Sequence, residues 1–274
     1  MSGEREAVNA QQFDALAATY DEVGFLALAA RLTATAAQVR PGEAVLDVMT
    51  GTGTVLAALG QHDGPLVGTD LSAGMLEVAR RRVPGATFVQ ADAAALPFPA
   101  ATFDTVICAA GLFFMPDMAG AVREWARVLR PGGRLVISAF GRGLLGELPG
   151  LWRTELAAVG LKPGAPPLGR LPTPEALTGV LREAELTDIR ADLTPHPYTL
   201  PDPSARLADI RAGLEGLPLR DLPPEARLAL DSQHRATLTP LFAAGPLTVP
   251  LPLIVGTGHA SSGGRNAGAK CRVL

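Results

Sequence analysis

Between residues 44 and 138 short, apolar, β-branched runs alternate with amphipathic helical stretches, and this rhythm restricts the fold more than any other feature of the chain. Ala44-Val45-Leu46-Asp47-Val48 reads as a first strand, followed by a glycine-rich turn and the helical Val55-Leu56-Ala57-Ala58-Leu59. Pro65 to Thr69 forms a second strand closing on Asp70, then a helix from Ser72 to Arg82 with Met75, Leu76 and Ala79 on one face. Thr87-Phe88-Val89 is a third strand ending near Asp92, and Phe103 to Cys108 a fourth. The next helix carries Val122, Trp125, Ala126 and Leu129 at helical spacing. It is expected to stop at Pro131-Gly132-Gly133, before a fifth strand from Arg134 to Ser138. Strands separated by helices in this way pair in parallel, with helices on both faces of the sheet, and ligands then bind beyond the carboxyl ends of the strands.

Either side of this block the pattern changes. Residues 11 to 40 read as helical, with Phe13, Leu16, Ala17 and Tyr20 at helical spacing. From Gly141 to Pro174 the chain is rich in Gly, Pro and Leu, with Trp152 on an expected helix, which suggests an insertion over the ligand side. A helix from Pro174 to Glu185, a strand from Thr187 to Leu193, a mixed helical stretch at 203–243 and a strand from Leu247 to Val255 follow. Pro250 and Pro252 donate no ladder hydrogen bonds, so the last strand belongs at or beside a sheet edge. The expected organisation is therefore a helical N-terminal segment or lid at 1–40, a main domain at 41–260 with lids or insertions at 141–172 and 203–243, and a disordered tail at 261–274.

At 274 residues and 47% hydrophobic, the chain buries a core without help from metals or disulfides. Lys+Arg 24 against Asp+Glu 27 gives a net charge of −3, which disfavours the basic surface that nucleic acid requires. Cys108 and Cys271 show no paired spacing, and the four histidines show no metal-ligand spacing, so no metal is expected. No apolar run is long enough for a membrane helix, and the N-terminus lacks a secretory pattern, so a cytoplasmic protein, monomer or homodimer, is the expectation.

Each of the first three strands carries or meets a carboxylate near its end, namely Asp47, Asp70 and Asp92, and all three would line one rim. The turn Met49-Thr50-Gly51-Thr52-Gly53 lets a ligand approach the backbone closely and presents free amides at a helix start. Alone it is a weak signal. Leu56 stands where the dinucleotide fingerprint needs a third glycine, which counts against NAD. Asp70 suits the hydroxyl pair of a ribose, present in both NAD and S-adenosylmethionine. A further carboxylate at Asp92 accepts from an adenine amine and favours the second.

Four ordered segments carry a resemblance: Val45 to Gly53, Gly68 to Leu76, Ala91 to Phe98, and Ala126 to Gly133. Together they resemble class I S-adenosylmethionine-dependent methyltransferases, in the branch similar to quinone-biosynthesis C-methyltransferases. The resemblance implies a doubly wound, mainly parallel, seven-stranded Rossmann-like α/β sheet. It implies that Asp47 orients the methionine end against the backbone of Gly51, Thr52 and Gly53, and that Asp70 holds the ribose. Leu71 and Met75 would flank the adenine, Asp92 and Ala93 would read its edge, Ala109 would underlie the sulfonium, and Tyr20 would close over the cofactor. Met49 and Thr50 replace the family's usual glycine and cysteine, and Phe113-Phe114 replace a frequent His-His.

The activated methyl of a sulfonium requires mainly an acceptor held in line in a dry cleft. No catalytic base is assigned. Phe113, Phe114, Trp152 and His196 are the candidates for an acceptor pocket suited to a small, apolar or aromatic metabolite. Two other readings stay open at this level: an NAD-linked oxidoreductase, and a protein that binds S-adenosylmethionine without transferring its methyl.

Overall fold

The computed structural model describes residues 10–162 and 167–261. The expected disordered tail therefore lies, from residue 262 onward, outside the described residues. Seven strands form one sheet in the order β3-β2-β1-β4-β5-β7-β6. They are β1 (Val45–Val48), β2 (Leu66–Asp70), β3 (Thr87–Gln90), β4 (Phe103–Ala109), β5 (Leu129–Phe140), β6 (Thr187–Leu200) and β7 (Leu247–His259). The first five pair in parallel, whereas β7 runs antiparallel to both β5 and β6. The sheet is thus the mainly parallel, seven-stranded, Rossmann-like arrangement that the resemblance implies, with the parallel pairing that the alternation of strands and helices predicts.

The helices are a short α1 at residues 10–16, α2 (Gly24–Ala37), α3 (Thr54–Leu59), α4 (Ala73–Arg82), α5 (Met118–Val128), α6 (Leu148–Ala158), α7 (Pro174–Glu183), α8 (Pro203–Ala212) and α9 (Pro224–Leu238). Successive strand residues point to opposite faces, and the two cores follow from that alternation. Leu46, Val106 and Leu135 pack against Val122 and Trp125 of α5 and Leu177 and Leu181 of α7. Their neighbours Val45, Ile107 and Val136 face the other way, onto Ala34 of α2, Leu56 of α3 and Leu76 and Ala79 of α4.

Four boundaries differ from the sequence expectation, each for a physical reason. The N-terminal helix is not continuous over 11–40: α1 ends at residue 16, a single 3-10 turn covers Tyr20–Glu22, and α2 begins at Gly24. A Cβ on Gly24 would lie 2.5 Å from the Tyr198 hydroxyl, and its amide donates to Asp209 Oδ1 at 2.9 Å, so contacts with distant residues set this start. Helix α5 ends at Val128 rather than at Pro131, because Leu129 turns extended and pairs with Phe103. The position before a proline disfavours helix, which leaves Arg130 in the strand as well. Strand β6 runs on to Leu200 through Pro195 and Pro197, and β7 runs on to His259. Pro195 faces Pro252 and Pro197 faces Pro250, so the prolines occupy pairs that need no mutual N–H donor. The β5–β7 ladder ends at Phe140 with Leu253, before those prolines, so β7 lies beside the edge strand as Pro250 and Pro252 require.

Candidate functional site

The strand order reverses its direction of growth at β1, which has β2 on one side and β4 on the other. A crevice opens there, beyond the carboxyl ends of the strands. A cavity of about 160 Å³ lies in it, bordered by Tyr20, Asp47, Met49, Gly51, Thr52, Asp70, Leu71, Met75, Asp92, Ala93 and Ala109. Asp21, Thr50, Ser72 and Phe114 border it as well. Of the residues expected around a cofactor, only Gly53 stands outside. Its φ of +77° is the left-handed turn that starts α3, and a Cβ there would meet Ala79 Cβ of α4 at 3.1 Å. Gly53 thus serves a close approach between the turn and α4, and not the cavity wall.

Asp47 is 1% exposed, and the Thr50 hydroxyl donates to its Oδ2 at 2.5 Å. Its Oδ1 has no hydrogen-bond partner within the protein, an uncommon state for a buried carboxylate oxygen. Burial raises its pKa to about 7, the Thr50 bond opposes the rise, and the nearby Asp70 adds to it. Asp70 accepts the Gly51 amide on Oδ2 and the Ser72 amide on Oδ1, each at 2.9 Å, and so ties the glycine turn to the end of β2. Burial pushes its pKa up, against those backbone bonds. Asp92 accepts the Ala94 amide at 2.8 Å, and the Ala93 carbonyl accepts from the Trp125 indole, which pins the loop after β3. With Asp21 these make, among the described residues, four carboxylates around one small cavity, and no described lysine or arginine borders it. Such a site favours a ligand with positive charge.

Met49 has φ +59°, the left-handed region where a residue with a side chain is unusual. The backbone thus keeps the conformation a glycine would take. The side chain is accommodated because the next turn is bare: a Cβ on Gly111 would stand 3.0 Å from Met49 Sδ and 3.1 Å from its Cβ. Met49 and Gly111 therefore form a size-compensated pair at the cavity wall.

The N-terminal segment crosses the rim and is held by residues that local periodicity did not single out. Asp14 Oδ1 accepts the Ser72 hydroxyl at 2.5 Å and the Gly74 amide at 2.8 Å, at the start of α4. Asp21 accepts the Thr52 hydroxyl at 2.6 Å and pairs with Arg82, whose guanidinium also donates to Thr54. Arg82, in the last turn of α4, is thus one arm of a clasp. Tyr20, between the two anchors, stacks edge-on against Phe13 at 5.8 Å, and burial beside Asp70 and Asp21 holds its hydroxyl protonated.

A second cavity, of about 300 Å³, adjoins the first and shares Tyr20, Leu26, Ala110 and Phe114 with it. Phe25, Phe113 and Phe140 supply much of its wall, and the stretches 141–153, 168–172 and 209–215 enclose it. Of the four expected acceptor-pocket residues, Phe113 and Phe114 border this cavity, while Trp152 and His196 border neither. Trp152 is buried in a separate cluster with Leu156, Ile210 and Leu230, and its indole donates to the Glu215 carbonyl at 3.1 Å. His196 sits in β6 opposite Leu251, on the edge strand. Tyr198, two residues on, turns inward and donates to the Asp209 carboxylate at 3.0 Å, which makes it a brace. Among the described residues no cluster of metal-ligating side chains occurs, and no helix is long and apolar enough to cross a membrane.

The chain matches, over residues 46–137, the family model of a methyltransferase domain. Among curated proteins it is similar to the ubiquinone/menaquinone biosynthesis C-methyltransferase of Hahella chejuensis, 40% identical over 154 residues. That alignment covers 51% of this chain and 62% of the relative. The demethylmenaquinone methyltransferase of Beutenbergia cavernae is 40% identical over 137 residues, 48% of this chain and 57% of the relative. The chain therefore spans less than two thirds of the length of the curated relatives it matches. Among solved structures, the YcgJ protein of Bacillus subtilis shares the fold with a TM-score of 0.56 at 21% identity, over 86% of this chain and 99% of that one. A methyltransferase-like structure from Bacillus halodurans does so with a TM-score of 0.55 at 19% identity, over 85% of this chain and 98% of that one.

Proposed function

We propose that the protein moves the methyl group of S-adenosylmethionine onto a small aromatic or apolar metabolite held in the second cavity. The observation that carries this reading is the unpartnered, buried Oδ1 of Asp47, in an acidic cavity that opens onto an aromatic one. An ammonium group supplies the missing partner for that oxygen, and a sulfonium suits the acidic surroundings. The free lone pairs of the Asp70 carboxylate suit the two hydroxyls of a ribose, since each oxygen already accepts one amide. In this assignment Leu71 and Met75 sandwich the adenine, Asp92 and Ala93 read its edge, and Gly51 and Thr52 offer bare backbone to the methionine end. Ala109 lies where a small residue leaves room for the sulfur.

When bound, the cofactor supplies a methyl group already activated for transfer. The protein's task is to hold the acceptor in line and exclude water. Phe113 and Phe114 form an apolar wall beside the shared residues Tyr20 and Ala110. No histidine borders either cavity, so the reading includes no histidine base. The relatives' names point to quinone-type acceptors. Much of the second cavity's wall, however, at 140–153, 168–172 and 209–215, lies outside the matched residues 46–137. The acceptor is therefore assigned from that wall and not from the relatives. A cytoplasmic setting, and a main domain capped by the segments at 1–40, 141–172 and 203–243, belong to the same reading.

Calorimetric titration tests the cofactor assignment: S-adenosylhomocysteine is expected to bind at micromolar or lower concentration and NADH not at all. The reverse would favour an oxidoreductase. If the N-terminal segment acts as a lid, Asp21→Ala, which frees Thr52 and Arg82, is expected to weaken S-adenosylhomocysteine binding about tenfold. It should also speed dissociation in stopped-flow displacement. Unchanged dissociation would remove the lid.

A further inference from the structure

We propose that the acceptor carries a carboxylate, read by Arg142 and Arg153 at the rim of the second cavity; this rests on the methyl-transfer reading above. Among the described residues four charged side chains border that cavity: Arg142, Arg153, Asp209 and Glu215. Both acids are already engaged. Asp209 is 2% exposed and accepts the Gly24 amide and the Tyr198 hydroxyl, and Glu215 pairs with the buried Arg206 at 2.7 Å. The two arginines are not: among the described residues neither makes an ion pair or a side-chain hydrogen bond. They come from separate segments, Arg142 just past β5 and Arg153 in α6, yet both border the same space.

The cavity is therefore amphipathic. Phe25, Phe113 and Phe140 form a largely buried floor, with Phe25 and Phe140 edge-on at 5.8 Å, whereas both arginines are exposed at the rim. A flat apolar body satisfies the floor, and a planar carboxylate matches the forked guanidinium donors. The neighbouring cavity adds a directional constraint. Among the described residues it is lined by carboxylates and by no lysine or arginine, and so offers an anionic group no protein partner; such an acceptor enters with its neutral end toward the shared residues Tyr20, Ala110 and Phe114. The charge at the far end then orients the body for transfer.

The test uses the full-length protein saturated with S-adenosylhomocysteine, titrated with 1-naphthoate and with its neutral counterpart 1-naphthalenemethanol. The naphthoate is expected to bind at least fivefold more tightly at low ionic strength, and the preference should shrink as salt is added. In the double variant Arg142→Gln/Arg153→Gln the preference should vanish while S-adenosylhomocysteine affinity stays the same, which also shows that the variant is folded. Equal binding of the two probes, binding of neither, or a preference that survives in the double variant would overturn the proposal. Failure of S-adenosylhomocysteine itself to bind would overturn the methyl-transfer reading beneath it, and the two failures are read separately.

Discussion

Asp47→Asn is expected to stabilise the ligand-free protein at pH 8 and, at the same time, to reduce S-adenosylhomocysteine affinity by more than a hundredfold. The first effect follows from burial. With a pKa raised to about 7 in the folded state against about 4 in the unfolded chain, the folded protein holds more protons between those values. Stability that is fully present below pH 4 is therefore lost as pH rises to about 7. The shift corresponds to roughly 4 kcal/mol at most, and the uncharged amide recovers about half of it after its own unmet hydrogen bonds are counted. The second effect has the opposite sign, because the ammonium partner needs the ionised carboxylate. Removing one member of a buried pair costs about 3–5 kcal/mol. In the wild-type protein the same logic makes affinity fall about tenfold per pH unit below pH 7 and level off above it. Urea unfolding at pH 5 and pH 8, with calorimetric titration over that range, checks both signs.

The second large effect is expected for Asp70→Ala. Its carboxylate satisfies the amides of Gly51 and Ser72, so the alanine leaves two backbone donors unpaired at the centre of the site. Each costs about 1–3 kcal/mol, partly offset by relief of the buried charge, for a net loss of about 1–3 kcal/mol. The glycine turn loses its tie to β2 as well, so the variant forfeits both the proposed ribose acceptor and the shape of the turn. Affinity for S-adenosylhomocysteine is expected to drop more than a hundredfold, while affinity for ligands of the second cavity changes far less.

The parts of the structure that could be read from the sequence are those written in local pattern. Strands β1 to β5 alternate buried residues between two faces, and their strand-end register brought Asp47, Asp70 and Asp92 to one rim. The glycine turn was legible for the same reason, although its two glycines do different jobs: Gly51 borders the cavity and Gly53 meets Ala79. What local pattern did not reveal depends on pairs distant in the chain. The clasp of the N-terminal segment joins Asp14 to Ser72 and Asp21 to Arg82, 58 and 61 residues apart, and no periodicity encodes such pairs. The break before Gly24 depends on Tyr198 and Asp209 in the same way. The length of β6 was hidden because prolines normally end a strand, and facing prolines across a ladder leave no trace in either segment alone. Trp152 looked available for a ligand only because Glu215, Ile210 and Leu230, which help enclose it, come from elsewhere in the chain.

We propose that the crevice at β1 is an S-adenosylmethionine site held by Asp70. A thermal-denaturation series with and without S-adenosylhomocysteine, on the wild-type protein and on Asp70→Ala, tests it most directly. Ligand at about one hundred times its dissociation constant adds about 2.7 kcal/mol, which for a chain of this size raises Tm by roughly 5–10 °C. That rise is expected for the wild type and none for Asp70→Ala. A wild-type Tm that does not move, or a rise that persists in the variant, would contradict it.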